Sequence, residues 1–117
     1  MSLNNTIVDP SSCQRQTLVN ENWYRFQSIH GNEKLLENRC LNDTQRCGVS
    51  NPGWLLGSHP KPEDGVVKME LKFFFSYCGS TAGIVQVKNC DGDFFIYNFV
   101  SIPFWDCNYG VCTDSHK

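Results

Sequence analysis

The sequence lacks three features that would place it in common functional classes. It has no apolar run of roughly eighteen residues, so no segment is long enough to cross a bilayer as a helix. Its net charge of −2 and isoelectric point near 5.8 provide no basic field for nucleic acid or an anionic membrane. Residues 1–5 (MSLNN) are polar, so no signal peptide is visible. We therefore predict neither nucleic-acid binding nor direct membrane insertion.

The groupings that enzymes use are also missing. No G-x-S-x-G elbow occurs, and Cys78-Gly79-Ser80 matches no catalytic signature. The histidines His30, His59 and His116 lie in polar or terminal segments, where we expect exposed loop residues. Asp91-Gly92-Asp93 resembles a fragment of a calcium loop but lacks the later ligands, and turn chemistry explains it more simply. We predict no enzyme, no catalytic residue, no metal site and no cofactor.

Cysteine, by contrast, is abundant. The 117 residues include seven: Cys13, Cys40, Cys47, Cys78, Cys90, Cys107 and Cys112. None forms a C-x-x-C pair, the spacing that brings two sulfurs onto one tight turn in zinc and redox sites. The wide, irregular spacing favours disulfides over metal, and hence an extracellular compartment. Because the number is odd, at least one thiol is free, pairs between chains or has lost its partner.

Alternation of apolar and polar residues predicts the main strands. It is clearest over residues 66–75, where apolar side chains occupy every second position. Phe74 falls on the opposite face of that strand and is a candidate for a contact surface or a second sheet. Residues 84–88 and 94–100 form two further strands. The Asp91-Gly92 pair between them predicts a hairpin, because both residues tolerate a positive φ.

The rest of the chain is predicted to be less regular. Aromatic residues favour a strand at 23–29, and good helix formers favour a short helix at 32–39. Residues 40–65 read as loop, with a turn at Asn51-Pro52-Gly53 and with residues 54–56 (WLL) packed into the core. The tail returns as a loop or an edge strand. The fold class is small, irregular and all-β: an antiparallel, disulfide-stapled sheet or sandwich with long loops and at most one short helix.

Two tripeptides match the acceptor pattern for N-glycosylation. They place candidate glycans on Asn4 and on Asn42, the latter in a polar loop between Cys40 and Cys47. The cysteine-type acceptor at Asn38 is discounted, because its cysteine is expected to be bonded. The sequence therefore offers two glycosylation sites.

Six motifs occur in an ordered series along the chain. They are Trp23-Tyr24-Arg25-Phe26, Trp54-Leu55 followed by His59-Pro60, Asp64-Gly65, Val85-Gln86-Val87-Lys88-Asn89-Cys90, Phe95-Ile96-Tyr97 and Tyr109-Gly110-Val111-Cys112-Thr113. In this order they resemble the cysteine-rich domain, of eight to ten cysteines, in uromodulin and the pancreatic zymogen-granule membrane glycoprotein. The resemblance runs from about residue 6 to residue 114. It implies a domain at 13–114, preceded by a short or truncated segment, 1–12, and followed by a tail, 115–117.

The resemblance also implies a disulfide pattern. Cysteine by cysteine, the family's pairing gives Cys40–Cys78, Cys47–Cys112 and Cys13–Cys107. Cys90 is left unpaired, because its partner in the family lies upstream, near or before Met1. A further family pair is missing as a unit, since Gly79 stands where a second adjacent cysteine usually sits. The odd cysteine is thereby assigned to Cys90.

In its relatives this domain is secreted, lies beside EGF-like modules and often upstream of a zona-pellucida module, and carries N-glycans that bacterial fimbrial lectins recognise. Two of the relatives' acceptors are absent here, because Leu56 replaces one asparagine and the triplet Asn98-Phe99-Val100 lacks a hydroxyl residue at its third position. Decoy function through those two glycans therefore does not transfer. The resemblance implies an extracellular module within a longer, multidomain chain.

Three hypotheses follow for the function. The first is a secreted recognition and glycan-display module whose partner is a protein or a carbohydrate-binding protein, such as a microbial lectin. The second is a structural spacer in a larger matrix protein with EGF-like or zona-pellucida neighbours. The third is a cytosolic thiol or zinc protein, which would suit a chain with no visible signal peptide.

Overall fold

A computed structural model describes residues 6–8, 22–28, 30–40, 51–74, 80–101 and 109–113. These residues form strands and loops, with a turn of 3-10 helix at Pro62–Asp64. The strands are β1 (Thr6–Val8), β2 (Arg25–Gln27), β3 (Glu33–Lys34), β4 (Asn51–Leu55), β5 (Val66–Phe73), β6 (Ser80–Cys90), β7 (Phe94–Ser101) and β8 (Tyr109–Val111). Within these ranges no helix has the length and apolarity needed to cross a membrane. The all-β prediction is confirmed.

The strands form two sheets. The larger has the order β7-β6-β5-β4-β8, and the smaller has the order β1-β2-β3. Neighbouring strands are antiparallel except in the pairs β1–β2 and β4–β8, which are parallel. A hairpin forces antiparallel pairing, whereas strands joined by long connections can pair in either direction. The sheets are therefore mixed rather than purely antiparallel, and the tail forms the edge strand β8.

Both edges of the larger sheet are extended by single-residue bridges. Tyr24 pairs with Tyr97 on β7, with backbone N–H···O distances of 2.8 and 2.9 Å. Near the other edge Leu36 pairs with Thr113, just beyond β8. The segment that carries β2 and β3 thus connects β7 to the β8 side, and the larger sheet curls around one interior.

The central hairpin follows the sequence closely. The strand predicted at 66–75 is β5, and those predicted at 84–88 and 94–100 are the longer β6 and β7. At the hairpin turn Asp91 has φ 57° and Gly92 has φ 82°, and the N–H of Asp93 donates to the Cys90 carbonyl at 3.0 Å. The Asp-Gly prediction is confirmed, because this turn needs two residues that accept a positive φ.

The interior is built from the inward side chains of these strands. Its buried members are Tyr24, Phe26, Leu36, Leu55, Leu71, Phe73, Val85, Val87, Tyr97, Phe99 and Val111. The Phe26 ring lies 5.6 Å from the Tyr97 ring and 6.4 Å from the Phe99 ring, between centroids. Tilted and edge-on contacts at such distances add to the free energy of apolar burial. The small sheet is thereby fixed to β7 through Phe26.

The short helix predicted at 32–39 is wrong. Glu33–Lys34 form β3, and Leu36 forms a bridge to Thr113. A helix this short is marginal by itself. Pairing with β2 and burial of Leu36, which is 1 % exposed, outweigh the helical propensity of this segment.

The turn predicted at Asn51-Pro52-Gly53 is also wrong, since these residues begin β4. The missing N–H of Pro52 is tolerated near the start of the strand, where its carbonyl accepts from the Phe74 N–H at 3.0 Å. Of the residues predicted to enter the core, Trp54 and Leu55 are buried, whereas Leu56 is 45 % exposed. Leu56 lies past the end of β4 and is directed away from the interior.

Gly53 leaves space for the ring of Phe73. A Cβ on Gly53 would lie 2.5 Å from Cε2 of that ring. We expect Gly53→Ala to lower the free energy of unfolding by about 2–3 kcal/mol, because the buried ring must leave its rotamer. Chemical denaturation measures the change. Ser58→Ala, at an exposed site, is the control, and equal midpoints for the two variants would contradict the packing described.

Candidate functional site

Most motif residues that carry the family resemblance lie inside the domain. Tyr24, Phe26, Trp54 and Leu55 are each less than 5 % exposed, and Trp23 is half-buried. Tyr24, Phe26 and Leu55 pack in the main core against β5–β7, whereas Trp54 packs with Cys112 and Phe74 in a second cluster. The motifs therefore specify the scaffold, and a ligand must be sought elsewhere on the molecule.

Arg25 is the charged member of the first motif and faces away from the interior. Its guanidinium carbon lies 3.9 Å from the centroid of the Phe94 ring, and its Nε donates to the Glu33 carboxylate at 3.0 Å. Gln27 donates to the same carboxylate at 2.8 Å. Burial raises the pKa of Glu33, but these hydrogen bonds outweigh it and hold that pKa below its ordinary value. Arg25 thus ties the small sheet to the β6–β7 hairpin.

His59 lies on the loop of residues 56–65, which we name the 56–65 loop. Its Nε2 lies 2.9 Å from the hydroxyl oxygen of Tyr97, and its ring packs at a tilt against Phe95 with centroids 4.7 Å apart. The Tyr97 hydroxyl also accepts from the Leu36 N–H at 3.2 Å. The expectation of an exposed loop histidine is wrong for His59, because the loop folds back onto β7. His30 is exposed as expected.

The two buried groups of this network have shifted pKa values. Burial lowers the pKa of His59 to about 4, so its ring is neutral at physiological pH. Burial also raises the pKa of the Tyr97 phenol well above its ordinary value. Both groups are therefore uncharged and joined by a neutral hydrogen bond.

Further contacts attach the 56–65 loop to the sheet. The Asn89 side chain donates to the Pro60 carbonyl at 3.1 Å and accepts from the Gly92 N–H at 2.8 Å. Asp64 accepts from the Lys61 N–H at 2.9 Å, and Gly65 follows with φ 69°. The motif residues Asp64 and Gly65 thus shape the turn that leads into β5.

Two of the described cysteines are disulfide-bonded and one is not. Cys40 and Cys112 are bonded, while Cys90 is a free thiol. Cys112 packs with the buried Trp54 and the half-buried Phe74, so Phe74 belongs to a second small core. The other cysteines of the pairing lie outside the described residues, and the three pairs remain predictions. The undescribed cysteines are Cys13, Cys47, Cys78 and Cys107.

Cys90 is half-buried at the end of β6. Burial raises the pKa of its thiol, and the neighbouring Asp91 acts in the same direction. We expect native Cys90 to react with a disulfide reagent several-fold more slowly than free cysteine at pH 7.5, because less thiolate is present. A thiol titration of native and of denatured, unreduced protein measures this. Equal rates in the two states would contradict the burial of Cys90.

The outer face of β5–β7 carries a feature that the sequence did not predict. Leu56, Val66 and Val100 are exposed, by 45, 47 and 38 % respectively. An open groove of about 450 Å³ includes Leu56 in its lining, together with Val67, Lys68, Met69, Glu70 and Ile84. The sequence of one strand indicates which of its residues point outward. Only the register between β4, β5 and β6 shows which residues of different strands lie side by side in the groove.

Several predicted positions fall outside the described residues, namely Asn4, Asn42, His116 and Phe75. In the part of the chain that is described, no three His, Cys, Asp or Glu side chains meet in a way that could hold a metal ion. The Asp91-Gly92-Asp93 segment is accounted for by the hairpin turn. The described surface thus offers a groove and an anchored loop.

Comparison with known proteins finds the same family by a family model and by individual relatives. A family model described as a "Uromodulin-like" domain matches residues 24–113. Mouse uromodulin is 38 % identical over 93 residues, which cover 79 % of this chain and 14 % of uromodulin. The rat pancreatic secretory granule membrane major glycoprotein GP2 is 33 % identical over 123 aligned residues, 95 % of this chain and 22 % of that protein. The chain spans less than a quarter of the length of these two relatives.

Proposed function

The chain belongs to the family of uromodulin-like cysteine-rich domains, and from this membership we propose that it is a non-catalytic, extracellular module for recognition and glycan display. Its parent would be a secreted or membrane-anchored glycoprotein. One relative is named as a membrane glycoprotein of secretory granules, which supports this compartment. The disulfide-bonded Cys40 and Cys112 support it as well, because such bonds persist in oxidising environments.

The observation that carries the proposal is the position of the family motif residues, most of which are buried in the interior. The family motif residues are used for packing, as the burial of Phe26 and Leu55, both 0 % exposed, illustrates. A scaffold of this kind suits a module that displays loops and glycans to a partner.

Glycan display is tested by secreting the chain from eukaryotic cells behind a heterologous leader. The sequence mass is 13.4 kDa, and we expect a higher mass that returns to it on enzymatic removal of N-glycans. Asn42→Gln and Asn4→Gln should each remove one glycan, while Asn38→Gln is the matched control and should remove none. A secreted protein at the bare sequence mass would contradict glycan display.

Recognition is tested with the same proteins. We expect an immobilised bacterial fimbrial lectin to retain the wild-type glycoprotein. The double variant lacking Asn4 and Asn42 should pass through the column. Equal retention of both proteins would show that these glycans are not what the lectin recognises.

The second candidate function is a structural spacer. It shares the disulfide-bonded scaffold and the glycans, but it predicts no partner. A longer gene model with EGF-like or zona-pellucida modules next to this domain, together with failure to bind lectins, would favour it. The third candidate, a cytosolic thiol or zinc protein, requires seven free thiols and bound metal by mass spectrometry, and the bonded Cys40 and Cys112 argue against it.

A further inference from the structure

We propose that the 56–65 loop is a pH-sensitive latch, held closed at neutral pH by the hydrogen bond between His59 and Tyr97 and opened locally when His59 takes up a proton. The inference is independent of the partner of the domain. It rests on three groups in a chain: the Leu36 N–H, the Tyr97 hydroxyl and the His59 ring.

The chain of hydrogen bonds has a defined direction. The Leu36 N–H donates to the Tyr97 oxygen at 3.2 Å, and the hydroxyl oxygen lies 2.9 Å from Nε2 of His59. Tyr97 is fully buried, so its hydroxyl proton needs an acceptor. Neutral Nε2 supplies that acceptor, and no described buried side-chain nitrogen or oxygen is left without a partner. The ring therefore carries its proton on Nδ1.

Protonation removes the acceptor. An imidazolium ring has N–H groups at both nitrogens and no lone pair, so the Tyr97 hydroxyl proton would be left buried and unpaired. The charged ring would also be partly desolvated, because His59 is half-buried and packs against Phe95 and Tyr97. Protonation thus carries two penalties, an unpaired hydroxyl proton and a desolvated charge. The loop relieves both penalties by lifting His59 into water.

The sign of the pH effect follows from the pKa values. Burial lowers the pKa of His59 from 6.5 to about 4 in the closed loop, whereas the open ring has its ordinary value. Between pH 6.5 and about pH 4, His59 binds a proton in the open form but not in the closed form. The closed form therefore loses stability as the pH falls from 6.5 towards 4, and loses none above 6.5.

Among the residues that the structure describes, no charged side chain supplies a counter-ion to the His59 ring. From β7 the ring meets Phe95 and Tyr97, which are uncharged at these pH values, and β6 contributes the neutral Asn89 to the loop. The charged groups of the loop itself are exposed: Lys61, Glu63 and Asp64. Glu33 of β3 is near enough to act on Tyr97, but burial alone lowers the pKa of His59.

Amide hydrogen exchange, corrected for the intrinsic rate at each pH, tests the latch. The reporters are the amides of Leu36, bonded to the Tyr97 hydroxyl, and Leu56, bonded to the Glu70 carbonyl. Between pH 7 and pH 5 we expect the equilibrium constant for opening at these two amides to rise about tenfold. The rise is smaller than the difference between the open and closed pKa values of His59 allows, because the His59 ring is only half-buried. Val87, in the central strand β6, should not change.

Two variants distinguish opening of the 56–65 loop from a general loss of stability of the domain at low pH. His59→Gln keeps an acceptor that does not titrate, so the rise at pH 5 should disappear. His30→Gln, at an exposed histidine, should keep it. Persistence of the full rise in His59→Gln would overturn the proposal. If His59→Gln does not fold, NMR titration of the wild-type protein decides: a His59 ring that titrates with the ordinary histidine pKa near 6.5 also overturns the proposal.

Discussion

Reduction of its disulfides is expected to unfold this domain at room temperature without denaturant. Cys40 and Cys112 are both bonded, and the predicted pairs close loops of tens of residues. Each such bond contributes about 3–4 kcal/mol in the chain-entropy model. An ordinary domain has a total stability of about 5–15 kcal/mol, so loss of three bonds removes most or all of it.

Trp54 gives this unfolding a local reporter. Its side chain is 3 % exposed and packs beside Cys112. Reduction should shift its fluorescence to longer wavelength, together with loss of the β-sheet signal in circular dichroism. Trp54→Phe identifies its share of the emission, since Trp23 and Trp105 remain. Fully reduced protein, verified by thiol titration, with an unchanged melting curve would show that the bonds are dispensable.

Tyr97→Phe is expected to lower the free energy of unfolding by about 2–4 kcal/mol at pH 7. The change removes one oxygen and leaves two buried groups without partners, the Leu36 N–H and Nε2 of His59. Each unsatisfied buried group costs about 1–3 kcal/mol. The aromatic contact with Phe26 is retained, so packing contributes little to the loss.

A double-mutant cycle with His59→Ala separates the hydrogen bond from other effects of each substitution. Because Tyr97 and His59 are in contact, we expect a coupling energy of about 1 kcal/mol or more between them. The double variant should therefore lose less free energy of unfolding than the sum of the losses in the two single variants. Urea denaturation at pH 7 measures all four proteins. Strict additivity, or a Tyr97→Phe variant as stable as wild type, would contradict the network.

The sequence predicts the β5–β7 part of the fold well, because local rules act there. Alternation over 66–75 places Leu71 and Phe73 inside, and Asp91-Gly92 supplies the positive φ values that the hairpin turn needs. The parts it misses depend on distant partners. The helix predicted at 32–39 is displaced by pairing with β2, and the 51–53 turn by pairing with β5 and β8.

The site is less predictable than the scaffold for the same reason. The neighbours of His59 in the sequence indicate an exposed loop residue, yet its partner Tyr97 is 38 positions away. The motif His59-Pro60 marks the position as part of the family pattern without revealing what the ring contacts. The groove beside Leu56 likewise requires the register between strands. The candidate glycosylation sites Asn4 and Asn42 are predicted from the sequence and lie outside the described residues.

We propose that a specific set of disulfides holds this recognition module together, with Cys90 as the odd thiol. Peptide mapping without reduction, after the free thiol is alkylated, tests it most directly. We predict linked peptides for Cys40–Cys78, Cys47–Cys112 and Cys13–Cys107, and alkylation at Cys90. A Cys13–Cys90 link, with Cys107 alkylated instead, would contradict the account.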